Sequence, residues 1–371
     1  MSSSNNFEII SKASAHTIKK FELVEKYIKG WAHKLLQFPK CEGIIYIDCM
    51  CNSGMYHDGS AEIEGTALRV AKILKEASIR YPGKKVYVFF NDKSQSKIEF
   101  LKSRLPASTN NFRIKVYNED GNSLLIKLGT KLEWCNRNNL HFFLFYDPYD
   151  ASIDWNALLP FFRYWGEVLI NHMVSDPVRA ISQVKSDQAK RKYMDTYLVN
   201  SVEQLIPYGH NKQAYEDRVK EIISRLKGGS SRKYYIASYP FFNSRNSLLY
   251  DLIHCTSNEI GFNLYKTTAW KTFGDCSSLK NRHGNEFQLT FDALNNGSIT
   301  TEVDEYCYNL YDVALYLHNI FSGMGDIPKS EIQEVLSKHP VFPNQGYQRQ
   351  IASILKKEYG VQEKRNSLIF K

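Results

Sequence analysis

Apolar positions along the chain change period as it proceeds. Between residues 14 and 37, Ile18, Phe21, Val24, Ile28, Trp31 and Leu35 recur at helical spacing, with Lys19, Lys20, Lys26 and Lys29 elsewhere around the turn. This predicts an amphipathic helix that stops at Pro39 and packs on the domain after it. From Gly43 onward, short β-branched and aromatic runs alternate with helical patterns. Strands are predicted over 44–48, 85–90, 112–117, 140–146 and 167–171. Between them lie a helix over 62–80 with Ala67, Val70, Ala71, Leu74 and Ala77 on one face, and a short helix carrying Ile98, Leu101 and Leu105. A third helix is marked by Leu124, Leu125, Leu128 and Leu132, and a fourth runs from Trp155 to Phe162. Strand, helix and strand repeating every roughly 30 residues predict a doubly wound, mostly parallel α/β sheet of Rossmann type. Runs at 233–239 and 248–255, with a helix over 259–271, complete seven strands near residue 272.

Two segments break the rhythm. Residues 176–230 are helical and basic, with Lys185, Lys190, Arg191, Lys192, Arg218, Lys220, Arg225 and Lys227, and with Met194, Tyr197, Leu198, Val219, Ile222, Ile223 and Leu226 facing inward. They predict a helical insertion. The tail, after a polar stretch over 276–300, predicts three helices and a closing strand, Leu368-Ile369-Phe370. That order suggests a small winged-helix-like module with Arg349, Lys356 and Lys357 on its recognition helix, or a three-helix cap on the main domain. The expected division is an N-terminal helix over 1–40, a Rossmann domain over 41–275 and the C-terminal module over 276–371.

Candidate chemistry gathers at strand ends. The first strand runs into Asp48-Cys49-Met50-Cys51-Asn52-Ser53-Gly54, and four consecutive strands end in a carboxylate: Asp48, Asp92, Asp120 and Asp147. Ligands of open α/β sheets bind outside the carboxyl ends of the strands, where a small-residue loop and a helix N-terminus offer backbone N–H groups. A lone Asp after a strand is commonly a helix cap. Four along one sheet edge suggest a nucleotide-like ligand, here S-adenosylmethionine. Asp48, Asn52 and Gly54 would meet its methionine end, Asn91 or Asp92 its ribose, and Asp120 its adenine. Asp147-Pro148-Tyr149 stands where amino-methylating enzymes keep an acceptor, a proline and a stacking aromatic. Asp147 is equally placed to cap the next helix.

Bulk properties narrow the setting. No run nears the roughly 18 apolar residues of a membrane span, and the first residues lack a secretory pattern. Seven scattered cysteines suggest free thiols in a reducing cytoplasm, with no zinc spacing. The net charge of +9 suits a nucleic-acid partner as well as a merely basic surface.

The segment from Asp48 to Tyr56 resembles the D-x-F-x-G-x-G-x-Y signature of the three-Cys-motif partner proteins, and Asp147-Pro148-Tyr149 with Ile153 and Trp155 resembles their D-P-aromatic strand end. Lys19, Tyr27 and Trp31 resemble their opening helix. The likeness spans residue 15 to about 272. It implies a Rossmann-type relative of methyltransferases and a partner protein carrying a three-cysteine motif, without implying a reaction.

Three functions stand as expectations. The first is an S-adenosylmethionine-dependent methyltransferase-like protein acting on or with nucleic acid. The second is an inactive Rossmann scaffold, suggested by Asn52, Asp150 and the charge, that binds nucleic acid or a partner protein through Lys190, Arg191, Lys192, Arg349, Lys356 and Lys357. The third is a metal-dependent nuclease using the carboxylates.

Overall fold

The computed structural model describes residues 9–148, 152–173, 187–201, 203–204, 212–226, 234–280 and 307–371. Seven strands form the central sheet: β1 (Gly43–Asp48), β2 (Lys85–Asn91), β3 (Phe112–Tyr117), β4 (Leu140–Tyr146), β5 (Gly166–Met173), β6 (Tyr235–Phe242) and β7 (Leu248–Thr256). Their order is β3-β2-β1-β4-β5-β7-β6. β7 runs antiparallel to both its neighbours, and the other pairs are parallel. The sheet is therefore Rossmann-like, as the alternating pattern predicts.

Central strands are apolar on both faces because helices cover both faces. All six residues of β1 are buried. Ile44 and Tyr46 face one cluster, with α1 (Ala15–Gln37), α2 (Thr66–Arg80), α3 (Gln95–Lys102) and part of the tail. Ile45 and Ile47 face the other, with α4 (Gly121–Gly129), α5 (Leu132–Arg137) and α6 (Trp155–Leu158). That second face also receives Tyr197 of α7 (Asp187–Tyr197) and Val219, Ile222 and Ile223 of α8 (Lys212–Leu226), so the described part of the insertion packs on the sheet.

Several expected boundaries move. Residues Glu62–Glu64 form a strand that pairs with Met55–His57, which delays α2 to Thr66. Ser11–Lys12 pairs parallel to the same strand and carries the N-terminal segment across the β1 loop. α3 stops at Lys102, before Leu105. The run marked by Leu124 to Leu132 divides into α4 and α5. Leu198 does not face inward: it is 49% exposed, with a left-handed φ of 48° just past α7. Lys185, Lys227, Lys233 and Asn295 to Gly297 lie outside the described residues.

The tail is a winged helix, seated on the main sheet by α9 (Glu259–Phe273). Its order is α10 (Leu310–Phe321), β8 (Gly325–Pro328), α11 (Lys329–Lys338), α12 (Gln348–Tyr359), β9 (Gln362–Glu363) and β10 (Ser367–Phe370), with β10 between β8 and β9. Lys266 of α9 is fully buried and donates to the carbonyls of Leu336, Ser337 and His339 at 2.9, 3.2 and 2.7 Å. Trp270 Nε1 and the Tyr239 hydroxyl both donate to the Val341 carbonyl. The module is thus both winged helix and docked cap. Among the described residues no helix is long and apolar enough to cross a membrane.

A buried polar cluster under α1 is invisible in the pattern. The Tyr27 hydroxyl donates to Glu167, and His254 Nε2 lies 2.8 Å from the same carboxylate oxygen. Burial pushes the Glu167 carboxyl up, but the hydrogen bond and charge of His254, with His141 and Tyr27, outweigh it and hold it below its usual value. Removing Glu167 leaves the Tyr27 hydroxyl with His254 Nε2 at 3.1 Å and the Gly261 carbonyl at 3.3 Å, and the loss of the shared buried acceptor costs about 1–3 kcal/mol. Glu167→Ala is therefore expected to lower the unfolding free energy by that amount in urea titration. A loss under about 1 kcal/mol would mean that the network is replaceable.

Candidate functional site at the carboxyl edge of the sheet

The strand order reverses direction between β1 and β4, and ligands of open α/β sheets bind outside the carboxyl ends of the strands at such a switch point. Asp48 ends β1 and is 2% exposed, and its Oδ1 accepts the Met50 N–H at 3.2 Å. Asp147 comes directly after β4. Lys20 of α1 donates to its Oδ2 at 2.7 Å, and Asn171 of β5 donates to its Oδ1 at 2.5 Å. Asp147 does not cap the next helix. That cap is Asp154, whose oxygen accepts the N–H groups of Asn156 and Ala157. Pro148 is buried beside Asp147, and Tyr149 and Asp150 lie outside the described residues.

Lys20 pairs with Asp147, and its charge also reaches Asp48. Burial pushes the Asp48 carboxyl up to about 8, with the charge of Asp147 adding to it and the Met50 N–H and Lys20 opposing. Aromatic residues close the space. Lys20 Nζ stands 5.3 Å from the ring centroid of Tyr250, at the start of β7. Tyr56 is half-buried, and burial raises its phenol with Asp147 and Asp48 adding to the effect. The Tyr46 hydroxyl is buried on β1, raised by burial and by Asp48. Tyr46 OH and Asn171 Oδ1 have no hydrogen-bond partner among the described residues. Buried polar atoms are rarely left so, and two of them beside Asp48 and Asp147 call for a polar guest.

The loop after β1 turns on two left-handed residues, Asn52 at φ 58° and Gly54 at φ 75°. A Cβ at Gly54 would stand 2.7 Å from Leu101 and 3.0 Å from Leu68, so only glycine fits. Asn52 tolerates its conformation because its Oδ1 accepts the Ser53 N–H and its Nδ2 donates to Ser11 Oγ. Its side chain is thereby turned toward the N-terminal strand.

The other strand-end residues differ from expectation. Asn91 is fully buried, donating to the carbonyls of Cys49 and Glu119 and accepting the Glu119 N–H. Asp92 is 1% exposed, and its oxygens accept the N–H groups of Asn52 and Ser94. Both side chains bond backbone groups of the neighbouring loops. Asp120 is exposed and caps α4 through the Ser123 N–H, and that bond, with the Ser123 side chain and the Asn122 N–H, lowers its carboxyl. The edge thus brings together Asp48 and Asp147, with Asn91 and Asp92 beside them holding the loop after β1. Pattern reading missed Tyr46, Lys20, Tyr250 and Asn171 as members. Asn171 alone had a signal, its place at a strand end.

The basic candidates lie elsewhere. On α7, Lys190 sits 3.8 Å from Asp187, and Arg191 and Lys192 are exposed. On α12, Arg349, Lys356 and Lys357 are exposed.

No family model matches the chain, so the likeness to the three-Cys-motif partner proteins finds no support there. No curated protein matches it either. Among solved structures, the chain is similar to a loganic acid methyltransferase with SAH, at 10% identity and a TM-score of 0.28, covering 72% of this chain and 87% of that one. It is similar to a geranyl diphosphate methyltransferase in complex with GPP and sinefungin, at 14% identity and a TM-score of 0.25, covering 62% and 77%. A third is a SAM-dependent methyltransferase from Anabaena variabilis ATCC 29413, at 10% identity and a TM-score of 0.27, covering 67% and 98%. At such low scores these likenesses add nothing to the sheet order already described.

Proposed function

We propose that the crevice between β1 and β4 binds S-adenosylmethionine and that the protein moves its methyl group to an amino-type acceptor held against Asp147 and Pro148. The observation that carries this reading is the pair of unpartnered atoms, Tyr46 OH and Asn171 Oδ1, beside two carboxylates at the switch point of the sheet. S-adenosylmethionine would supply a methyl carbon on a cationic sulfur. The residues present suit a cationic guest, because positive charge relieves the repulsion between Asp48 and Asp147. Asp147, fixed by Lys20 and Asn171, has lone pairs left to accept from an amino group and orient it in line. Little proton chemistry is required of the protein.

Calorimetry with S-adenosylmethionine and S-adenosylhomocysteine tests this. Only an ionised Asp48 complements the cation, and its ionised fraction rises from about a tenth at pH 7 to about nine tenths at pH 9. Affinity for the sulfonium form is therefore expected to tighten about tenfold over that interval, while the uncharged thioether product changes less. Absence of heat and of any thermal shift with both ligands at pH 9 would end the proposal.

One observation favours the inactive scaffold: the enclosure of Asn91 and Asp92 commits both side chains after β2 to the backbone. Such a scaffold would bind nucleic acid or a partner protein and ignore both ligands. Among the described residues no group of three His, Cys, Asp or Glu side chains is placed to hold a metal ion, and no observation favours a nuclease.

A further inference from the structure

We infer that the C-terminal winged helix is a duplex-DNA reader, with α12 entering the major groove and the β9–β10 turn lying along the backbone. The inference is independent of the cofactor reading. It starts from the two faces of α12. Ile351, Ala352 and Leu355 are buried. The opposite face presents Arg349, Gln350, Ser353, Lys356 and Lys357, all exposed. These positions are spaced i, i+1, i+4, i+7 and i+8, so they form one stripe, and it carries no acidic side chain. Arginine matches the acceptor pair of guanine and glutamine the donor–acceptor pair of adenine, and Ser353 keeps the middle of the stripe shallow enough for a groove floor.

Topology assigns the same role to α12. It is the third helix of a helix–strand–helix–helix–strand–strand module, the position from which helix-turn-helix proteins read bases. The tip of the β9–β10 turn is Lys364-Arg365-Asn366, and all three residues are exposed. The turn is held at a set distance from α12, because Glu363 pairs with both Lys329 and Lys356, at 2.8 and 3.5 Å. Lys364 pairs with Asp326 at 2.6 Å and Lys357 lies 3.4 Å from Glu358, so part of the basic surface is already neutralised. Arg349 and Arg365 have no ion pair among the described residues, and one stands on the helix and one on the turn. The two elements that carry these guanidinium groups are tied together through Glu363, and a helix with an adjoining turn suits a groove and the backbone beside it better than a flexible single strand.

The test is fluorescence anisotropy of the full chain with a labelled random-sequence duplex of about 20 base pairs. Arg365 supplies one phosphate contact and Lys356, Lys357 and Lys364 up to three more where phosphate displaces their carboxylate partners, so the slope of log affinity against log salt is expected between about −0.9 and −3.6. Arg365→Ala should weaken binding a few-fold and reduce that slope by about 1. Arg349→Ala should weaken binding to the preferred sequence, found by selection from the random pool, by about tenfold or more, and should flatten discrimination among sequences. Both are exposed substitutions, and an unchanged thermal midpoint verifies the fold. The inference is overturned by any of three results: no binding at low salt, equal or tighter binding of single-stranded RNA, or binding that survives both substitutions and is lost in Arg191→Ala with Lys192→Ala on α7.

Discussion

Asp48→Asn is expected to stabilise the protein at pH 8 and to remove its affinity for a sulfonium ligand. The sign comes from linkage. Asp48 titrates near 8 in the folded chain, against 3.8 for a free side chain. Between those values the folded state keeps a proton that the unfolded state has released, so stability falls as pH rises through the window. Asparagine carries no charge to bury, and its Oδ1 still accepts the Met50 N–H. With each tenfold in proton affinity worth about 1.4 kcal/mol, the gain at pH 8 is on the order of 3–5 kcal/mol, and it vanishes near pH 4. Urea titrations of both proteins at pH 5 and pH 8 decide the matter. Parallel curves at the two pH values would show that Asp48 is ionised and satisfied, and would remove the electrostatic basis of the crevice. A stabilising substitution that abolishes binding marks a residue kept at the expense of stability.

The second large effect is expected at Lys266. Burial pushes its ammonium down to about 7, yet three carbonyls at the end of α11 hold it, with the Phe262 ring 4.3 Å away. Lys266→Met keeps the apolar stem and removes the donor. Three carbonyls at the buried end of α11 then lose their shared partner, for a cost of about 3–5 kcal/mol. Unfolding monitored by Trp fluorescence should show one lowered transition, or two if the winged helix detaches first. An unchanged midpoint would mean that the Trp270 and Tyr239 bonds to Val341 hold the module alone.

The fold is legible in the sequence because its strands are short apolar runs bounded by turns and its helices carry a strong apolar face. Main-sheet boundaries move by no more than a few residues. Two-residue strands such as β9 leave no period to detect. The carboxyl-edge residues are legible as positions but not as roles. Asp48 and Asp147 can be placed at strand ends, but the partner of Asp147 lies 127 residues away on α1. Periodicity assigns Lys20 to a solvated face, because it cannot see that a carboxylate waits there. Asp92 has the place of a ribose acceptor, and only the tertiary structure shows its oxygens accepting the N–H groups of Asn52 and Ser94. Glu167 and His254 read as polar interruptions in buried strands until Tyr27 is brought between them.

The seating of the winged helix has an evolutionary side. Tyr239 packs on Phe273, and Trp270 meets Phe342 edge to face and Tyr347 at a tilt across the boundary between sheet and tail. Cutting the chain before residue 307 would strand these rings in water on one fragment and Phe342 and Tyr347 on the other. Neither half is a tradable cassette. Recombination that swapped in another winged helix would have to bring a matching aromatic face and carbonyls for Lys266. Sheet and tail are thus expected to be inherited together.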